Sequence, residues 1–313
     1  MNRIHHFRRI SVIVTVFITV FVGIASPCAL WAEELDGMTR YMKMFGTDYT
    51  IGSLTPTVCD LMEVKYPEKC TAPTVAPVVE MAKKKLDGRK IERALIFCGD
   101  AIGETIISEH PEMYQPIADM SDYRARCTCV MQSVTPVSFS TIFTGAPPEV
   151  HGIQVYKRPV QKTDTIFDAY VRAGKRVAII SVAECSVGLI FKERPIDYHQ
   201  FNTDEEAFQC AKKIVADPAC DYDLIVVYDG GYDSTMHRFG TRSPQALAAL
   251  ARSAERYQEL VALTEKHWTN LDCLTVFLSD HGSHDNENGK GTHGTEMKDD
   301  MLLNHFYKIQ VKK

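Results

Sequence analysis

Apolar and polar positions fall into two kinds of block along the chain. Residues 93–98, 224–228 and 273–278 are short, nearly continuous apolar runs rich in β-branched and aromatic side chains, as expected of strands buried on both faces of a parallel sheet. Residues 176–182 and 306–311 are further strand candidates, and Cys127-Thr128-Cys129 puts two thiols on one face of another strand. Between these runs, apolar residues recur at helical spacing over residues 78–86, 165–173, 205–216 and 243–268. The last is the longest: Leu247, Leu250, Ala254, Tyr257, Val261 and Leu263 make a stripe that needs a sheet to cover. Alternation of strand and helix predicts an α/β fold, a three-layer α/β/α sandwich around a mostly parallel central sheet. Residues 33–74 mix Gly, Pro and Thr and predict an irregular approach with one short helix.

Composition adds an address. The first nine residues carry Arg3, His5, His6, Arg8 and Arg9, followed by an uncharged apolar stretch over residues 10–25 and by Ala32 ahead of Glu33-Glu34. This is the layout of a secretory signal, so residues 1–32 are expected to be a signal peptide and residues 33–313 a single exported catalytic domain, periplasmic or extracellular. The alternative is an uncleaved membrane anchor at residues 10–25, which are near the lower length limit for crossing a bilayer. Cys28 follows Pro27 rather than the small residues of a lipoprotein cleavage box, which argues against lipidation. The formal net charge of -5 gives no field that would gather nucleic acid. Ten cysteines suit an oxidising compartment but show no regular framework or CxxC pair, so nothing supports a zinc ribbon. Cys59 with Cys70 is the expected disulfide.

The candidate chemistry sits where the apolar runs end. Gly99-Asp100 ends one run, Asp229-Gly230-Gly231-Tyr232-Asp233 with His237 another, and Ser279-Asp280-His281-Gly282 a third, followed by His293-Gly294. The carboxyl ends of strands are where ligands bind in open α/β sheets. Asp233 and His237 are four apart, so on a helical turn they share a face and a metal ion. Taken singly, each pattern is equally well a helix cap or a solvated loop. Thr135-Pro136 suits the first turn of a helix, where a hydroxyl is either a cap or a nucleophile activated by metal coordination.

In this order, Asp100, Thr135 ahead of Thr144-Gly145 and His151-Gly152, Asp233 with His237, Asp280-His281-Gly282 and His293-Gly294 resemble the alkaline phosphatase superfamily. The nearest likeness is its type I phosphodiesterase/nucleotide pyrophosphatase branch, over residues 94–303. The resemblance implies an alkaline-phosphatase-like sheet and two divalent metal ions, expected to be zinc. Asp100, Thr135, Asp280 and His281 would hold one ion, and Asp233, His237 and His293 the other. Thr135 would be the nucleophile, passing through a phosphothreonine intermediate during cleavage of a phosphodiester or phosphoanhydride in a small phosphorylated substrate. In that branch Phe-Pro-Asn follows the nucleophile, whereas here Pro136-Val137-Ser138 does, so Ser138 is the expected substrate-binding residue through its hydroxyl. No Cys/Ser-x-Pro-x-Arg context surrounds Thr135, which argues against a sulfatase.

A phosphomonoesterase or phosphonate hydrolase using the same metals is the alternative, because the pocket wall rather than the ligands sets the leaving group. Lys157 and Arg158 would then neutralise phosphate charge, or else form an ordinary solvated pair. A non-catalytic, metal-stabilised binding protein has no use for Thr135. Asp229, His284 and Asp285 remain as supporting or surface groups. The stretch between Gly240 and Cys273 is too short for a large specificity insert.

Overall fold

The computed structural model describes residues 35–313, and the expected signal segment lies outside them. In chain order, helix α1 (Gly37–Phe45), strand β1 (Tyr49–Thr50), α2 (Leu54–Met62) and α3 (Ala76–Lys85) precede β2 (Arg93–Gly99). Next come α4 (Glu104–Glu109), α5 (Pro111–Met120), β3 (Tyr123–Thr128), α6 (Thr135–Thr144), α7 (Pro148–His151), α8 (Ile166–Arg172) and β4 (Val177–Val182). They are followed by α9 (Ser186–Ile190), β5 (Asp197–Phe201), α10 (Asp204–Ala216), β6 (Leu224–Asp229), α11 (Gly231–Phe239), α12 (Pro244–His267) and β7 (Cys273–Ser279). A small hairpin, β8 (His284–Asp285) and β9 (Gly291–Thr292), then leads through α13 (Lys298–Met301) to β10 (Leu302–Gln310). Helix starts follow local chemistry: Thr165 and Thr203 close capping boxes with Asp168 and Glu206, and Ser243 caps α12 ahead of Pro244.

The main sheet runs β1-β3-β10-β7-β2-β6-β4-β5. Its strands are parallel except β10, which is antiparallel to both neighbours. Period-two alternation along the central strands divides the core between two faces. Ala94, Ile96 and Cys98 of β2 join Leu224, Val226 and Tyr228 of β6 under α2, α3, α6 and α8. Leu95 and Phe97 join Ile225 and Val227 under α5, α10, α11 and α12. Strands buried on both sides need apolar residues at every position, which is why their sequence runs show no polar alternation. Register then sets the site, because Gly99 lies beside both Asp229 and Ser279. Three strands therefore end flush, and the residues that follow emerge together at one edge.

The sheet is mostly parallel, as expected, with β10 alone running against its neighbours. The outcome adds to or departs from the sequence expectation in three places. Strand β5 has only partly buried residues at the sheet edge and therefore lacks the apolar run that marked the central strands. The segment before residue 75 forms two helices and a short edge strand rather than an irregular approach, with Leu54, Val58 and Met62 wholly buried in the core. The expected Cys59 to Cys70 bridge is not formed. Every described cysteine is a free thiol, and burial pushes Cys70 up to about 11.

Phe277 centres an aromatic group on the α12 face, stacked 5.8 Å from Phe97 and edge-on to Tyr114 and Tyr257 at 5.5 Å. Replacing it with alanine leaves a buried void that these rings cannot close. Phe277→Ala is expected to lower unfolding free energy by about 3–5 kcal/mol, measured by urea denaturation.

Candidate metal centre

Only Gly230 separates β6 from helix α11, whose winding brings His237 Nε2 within 3.2 Å of Asp233 Oδ1. The β8–β9 hairpin adds His293. Gly291 is required there, since a Cβ would lie 2.6 Å from the Met236 carbonyl oxygen, so its absence lets the hairpin press against α11. His293 Nε2 then stands 3.4 Å from Asp233 Oδ1 and 3.1 Å from His237 Nε2. Asp300, fully buried, holds this loop by accepting from His284 Nδ1 at 2.7 Å, Thr295 N at 2.9 Å and Thr295 Oγ1 at 2.8 Å. A second trio forms below, where His281 Nε2 lies 3.2 Å from Asp280 Oδ2 and 3.5 Å from Asp100 Oδ1. Within each trio the ligand-type atoms lie within 4.8 Å of one another. The His281 and His293 rings stack at 4.0 Å and join the two.

The protons identify the chemistry. His237 Nδ1 meets the Gly291 carbonyl at 3.0 Å, His281 Nδ1 that of Gly282 at 3.0 Å, and His293 Nδ1 that of Ser133 at 3.1 Å. A carbonyl can only accept, so each Nδ1 donates, and in the neutral ring each Nε2 presents a lone pair to the cluster. These lone pairs face Asp100 Oδ1, Asp233 Oδ1 and Asp280 Oδ2, all buried carboxylate oxygens without a hydrogen-bond partner. Acceptors facing acceptors in a buried site need cations between them. In the protein alone, burial and the Asp233 charge push Asp100 up to about 7. Burial followed by the Asp100 charge also pushes Asp280 up. Burial opposes ionisation of Asp233 too, but the neighbouring His237 and His293 side chains outweigh it and hold that carboxyl low. Burial, reinforced by His293, keeps His281 neutral. Carboxylate and imidazole donors with Nδ1 anchored on carbonyls fit divalent metal ions well.

Thr135 opens α6, and its Oγ1 donates to His281 Nε2 at 3.4 Å. The hydroxyl thus borders the Asp100, Asp280 and His281 trio. Ser138 is fully buried one turn along α6, with Oγ 3.4 Å from Cys129 Sγ, whose thiol in turn donates to the Asp280 carbonyl oxygen at 3.2 Å. Arg158 donates to the Glu184 carbonyl oxygen at 2.8 Å. Asp229 is bound to Arg256 at 2.8 Å, and Asp285 accepts from Thr241 N at 2.6 Å. His151 is a buried structural residue, with Nε2 donating to Thr141 Oγ1 at 2.9 Å and Nδ1 accepting from Ile153 N at 3.2 Å. Sequence reasoning passed over Tyr228, whose hydroxyl donates to Asp100 Oδ2 at 2.5 Å. The available signal was a hydroxyl closing an otherwise apolar strand. A groove of about 560 Å³ bounded by Asp164, Asp168, Arg172 and Arg194 shares no residue with either trio.

The family description "Type I phosphodiesterase / nucleotide pyrophosphatase" matches residues 115–309, and the chain belongs to that family, within the alkaline phosphatase superfamily. No curated protein matches the chain in sequence. Among solved structures, it is similar to murine ectonucleotide pyrophosphatase/phosphodiesterase 5, with 18% identity over 63% of this chain and 59% of that one and a TM-score of 0.52. The human counterpart gives 17% identity over 62% and 57% of the two chains, with a TM-score of 0.52. An inactive threonine-to-alanine form of the murine protein, in complex with AMP, gives 17% identity over 63% and 59% and a TM-score of 0.51. The chain thus spans less than two thirds of these structures, and the likeness is one of alkaline-phosphatase-like fold.

Burial lowers His151 from its ordinary 6.5 to about 4. Above pH 6.5 it is neutral folded or unfolded; between pH 6.5 and 4 the unfolded chain takes up the proton first. Its contribution to stability should therefore fall on acidification, by on the order of 3 kcal/mol as pH approaches 4. Urea unfolding curves across this window should show a shallower loss for His151→Gln than for the parent.

Proposed function

From membership of the type I phosphodiesterase/nucleotide pyrophosphatase family, we propose that the chain is a metal-dependent phosphohydrolase that cleaves a phosphodiester or phosphoanhydride. The observation that carries this reading is a hydroxyl, Thr135 Oγ1, placed against one of two trios of unsatisfied acceptors. Asp100, Thr135, Asp280 and His281 would hold one divalent ion, and Asp233, His237 and His293 a second. Zinc suits these donors. When bound, the ions would supply positive charge that favours the ionised forms of a hydroxyl and a water and neutralises phosphate oxygens.

Thr135 Oγ1 would form the new bond to phosphorus as the bond to the leaving oxygen breaks. Water would then hydrolyse the phosphothreonine and restore the hydroxyl. Pro136 has no N–H, and those of Val137 and Ser138 donate to Val134 O at 3.0 Å, so the dipole of α6 favours an anion here more than free amides do. Among the described residues, the hydrogen bonds and ion pairs of Asp100, Asp233 and Asp280 include no Lys or Arg. AMP in the murine relative supports a small phosphorylated molecule as substrate. The pattern of residues 1–32 supports export; among the described residues, no helix is long and apolar enough to cross a membrane.

Purified protein should carry two zinc-like ions and hydrolyse bis-p-nitrophenyl phosphate in preference to p-nitrophenyl phosphate, with activity lost on chelation. Thr135→Ala should lower kcat by about 10³-fold or more. Full activity in that variant would refute the mechanism, whereas dominant monoesterase activity would favour a phosphomonoesterase.

A further inference from the structure

Asp100 has two carboxylate oxygens with different surroundings. Oδ1 faces His281 Nε2 at 3.5 Å and has no hydrogen-bond partner, whereas Oδ2 accepts the Tyr228 hydroxyl at 2.5 Å. Both residues are buried. Their approach is built into the sheet, since Cys98 of β2 is paired with Tyr228 of β6 and the Asp100 N–H continues the ladder to Asp229 O at 3.0 Å. Alternation sends the Tyr228 ring to the α6 face and Asp229 to the α12 face, where it meets Arg256.

Two further features hold the hydroxyl in place. Phe139 packs edge-on to Tyr228 at 5.9 Å, and Phe139 is one helical turn from Thr135 on α6. Gly230 has an ordinary φ of -96°, so backbone conformation does not demand glycine. Space does: a Cβ there would lie 2.9 Å from the Tyr228 hydroxyl oxygen.

We propose that Tyr228 is a positioning residue that reserves Oδ2 of Asp100, presents Oδ1 as a single-oxygen ligand, and ties that ligand to the helix carrying Thr135. This rests on the metal-site reading above. The hydroxyl draws charge from the carboxylate, and it stops the side chain from rotating to offer both oxygens. Hydrogen-bonded supports of this kind typically change metal affinity by about 10- to 100-fold.

The test is metal binding by the full-length protein, with Zn²⁺ titrated against a competing chelator, alongside unfolding midpoints with and without metal. Tyr228→Phe removes one oxygen and keeps the ring. Its Zn²⁺ dissociation constant at the site of Asp100, Asp280 and His281 should rise about 10- to 100-fold, and the stabilisation that Zn²⁺ gives against unfolding should shrink. Gly230→Ala, which displaces the hydroxyl without removing it, should weaken Zn²⁺ binding in the same direction and carries the test if Tyr228→Phe does not fold. Unchanged affinity, with equal loss of stability in the metal-loaded and metal-free forms, would overturn the positioning role and leave Tyr228 as packing. Absence of Zn²⁺ binding by the parent protein would overturn the metal-site reading itself.

Discussion

Three carboxylates and three imidazole nitrogens turned towards one another repel unless positive charge lies among them. That constraint governs the sheet edge. Each imidazole is fixed through its other nitrogen on a backbone carbonyl, so none can turn away and donate elsewhere. Burial removes water as an alternative partner, most completely for Asp100, Asp280 and His281. An arrangement with this electrostatic cost is intelligible as a cation site, because divalent ions convert the clustered lone pairs from a liability into coordination.

The remainder of the fold supplies the rigidity that such a site requires. Flush termination of β2, β6 and β7 sets the three segments that carry Asp100, Asp233 and Asp280 side by side. Apolar layers on both faces prevent the strands from sliding, since a shift of one residue would exchange the two cores. The loop that delivers His293 lacks such a core and is held by polar contacts to Asp300, with Ser133 Oγ donating to Thr295 O at 2.9 Å. The site therefore combines a packed half and a hydrogen-bonded half.

The central strands were legible because burial on both sides leaves an unmistakable apolar run, as in Leu224 to Tyr228. Edge strand β5 was not, since its residues are only partly buried. Direction was hidden for β10, because an apolar strand reads alike whether its neighbours run with it or against it. The helices before residue 75 were obscured by Pro56, Gly52 and scattered threonines, yet Thr55, Thr57 and Ser53 find backbone or local partners that make the segment compatible with the core. A similar limit applies to cysteines: spacing made Cys59 and Cys70 look like a bridge, but spacing carries no information on side-chain approach.

By itself the sequence determined the layered α/β class, the segments just after strands that carry Asp100, Asp233 and Asp280, and the i to i+4 pairing of Asp233 with His237. These follow from periodicity and local geometry, which act over a few residues. Only the tertiary structure decided which acceptors face one another, which nitrogen of each histidine is free, that Ser138 lies against Cys129, and that Tyr228 holds Asp100. Those facts depend on contacts between residues more than 100 positions apart, Thr135 with His281 and Asp100 with Tyr228 among them. Nothing in the local sequence fixes the distance or direction of such contacts; strand register and the close approach permitted at Gly291 and Gly230 do.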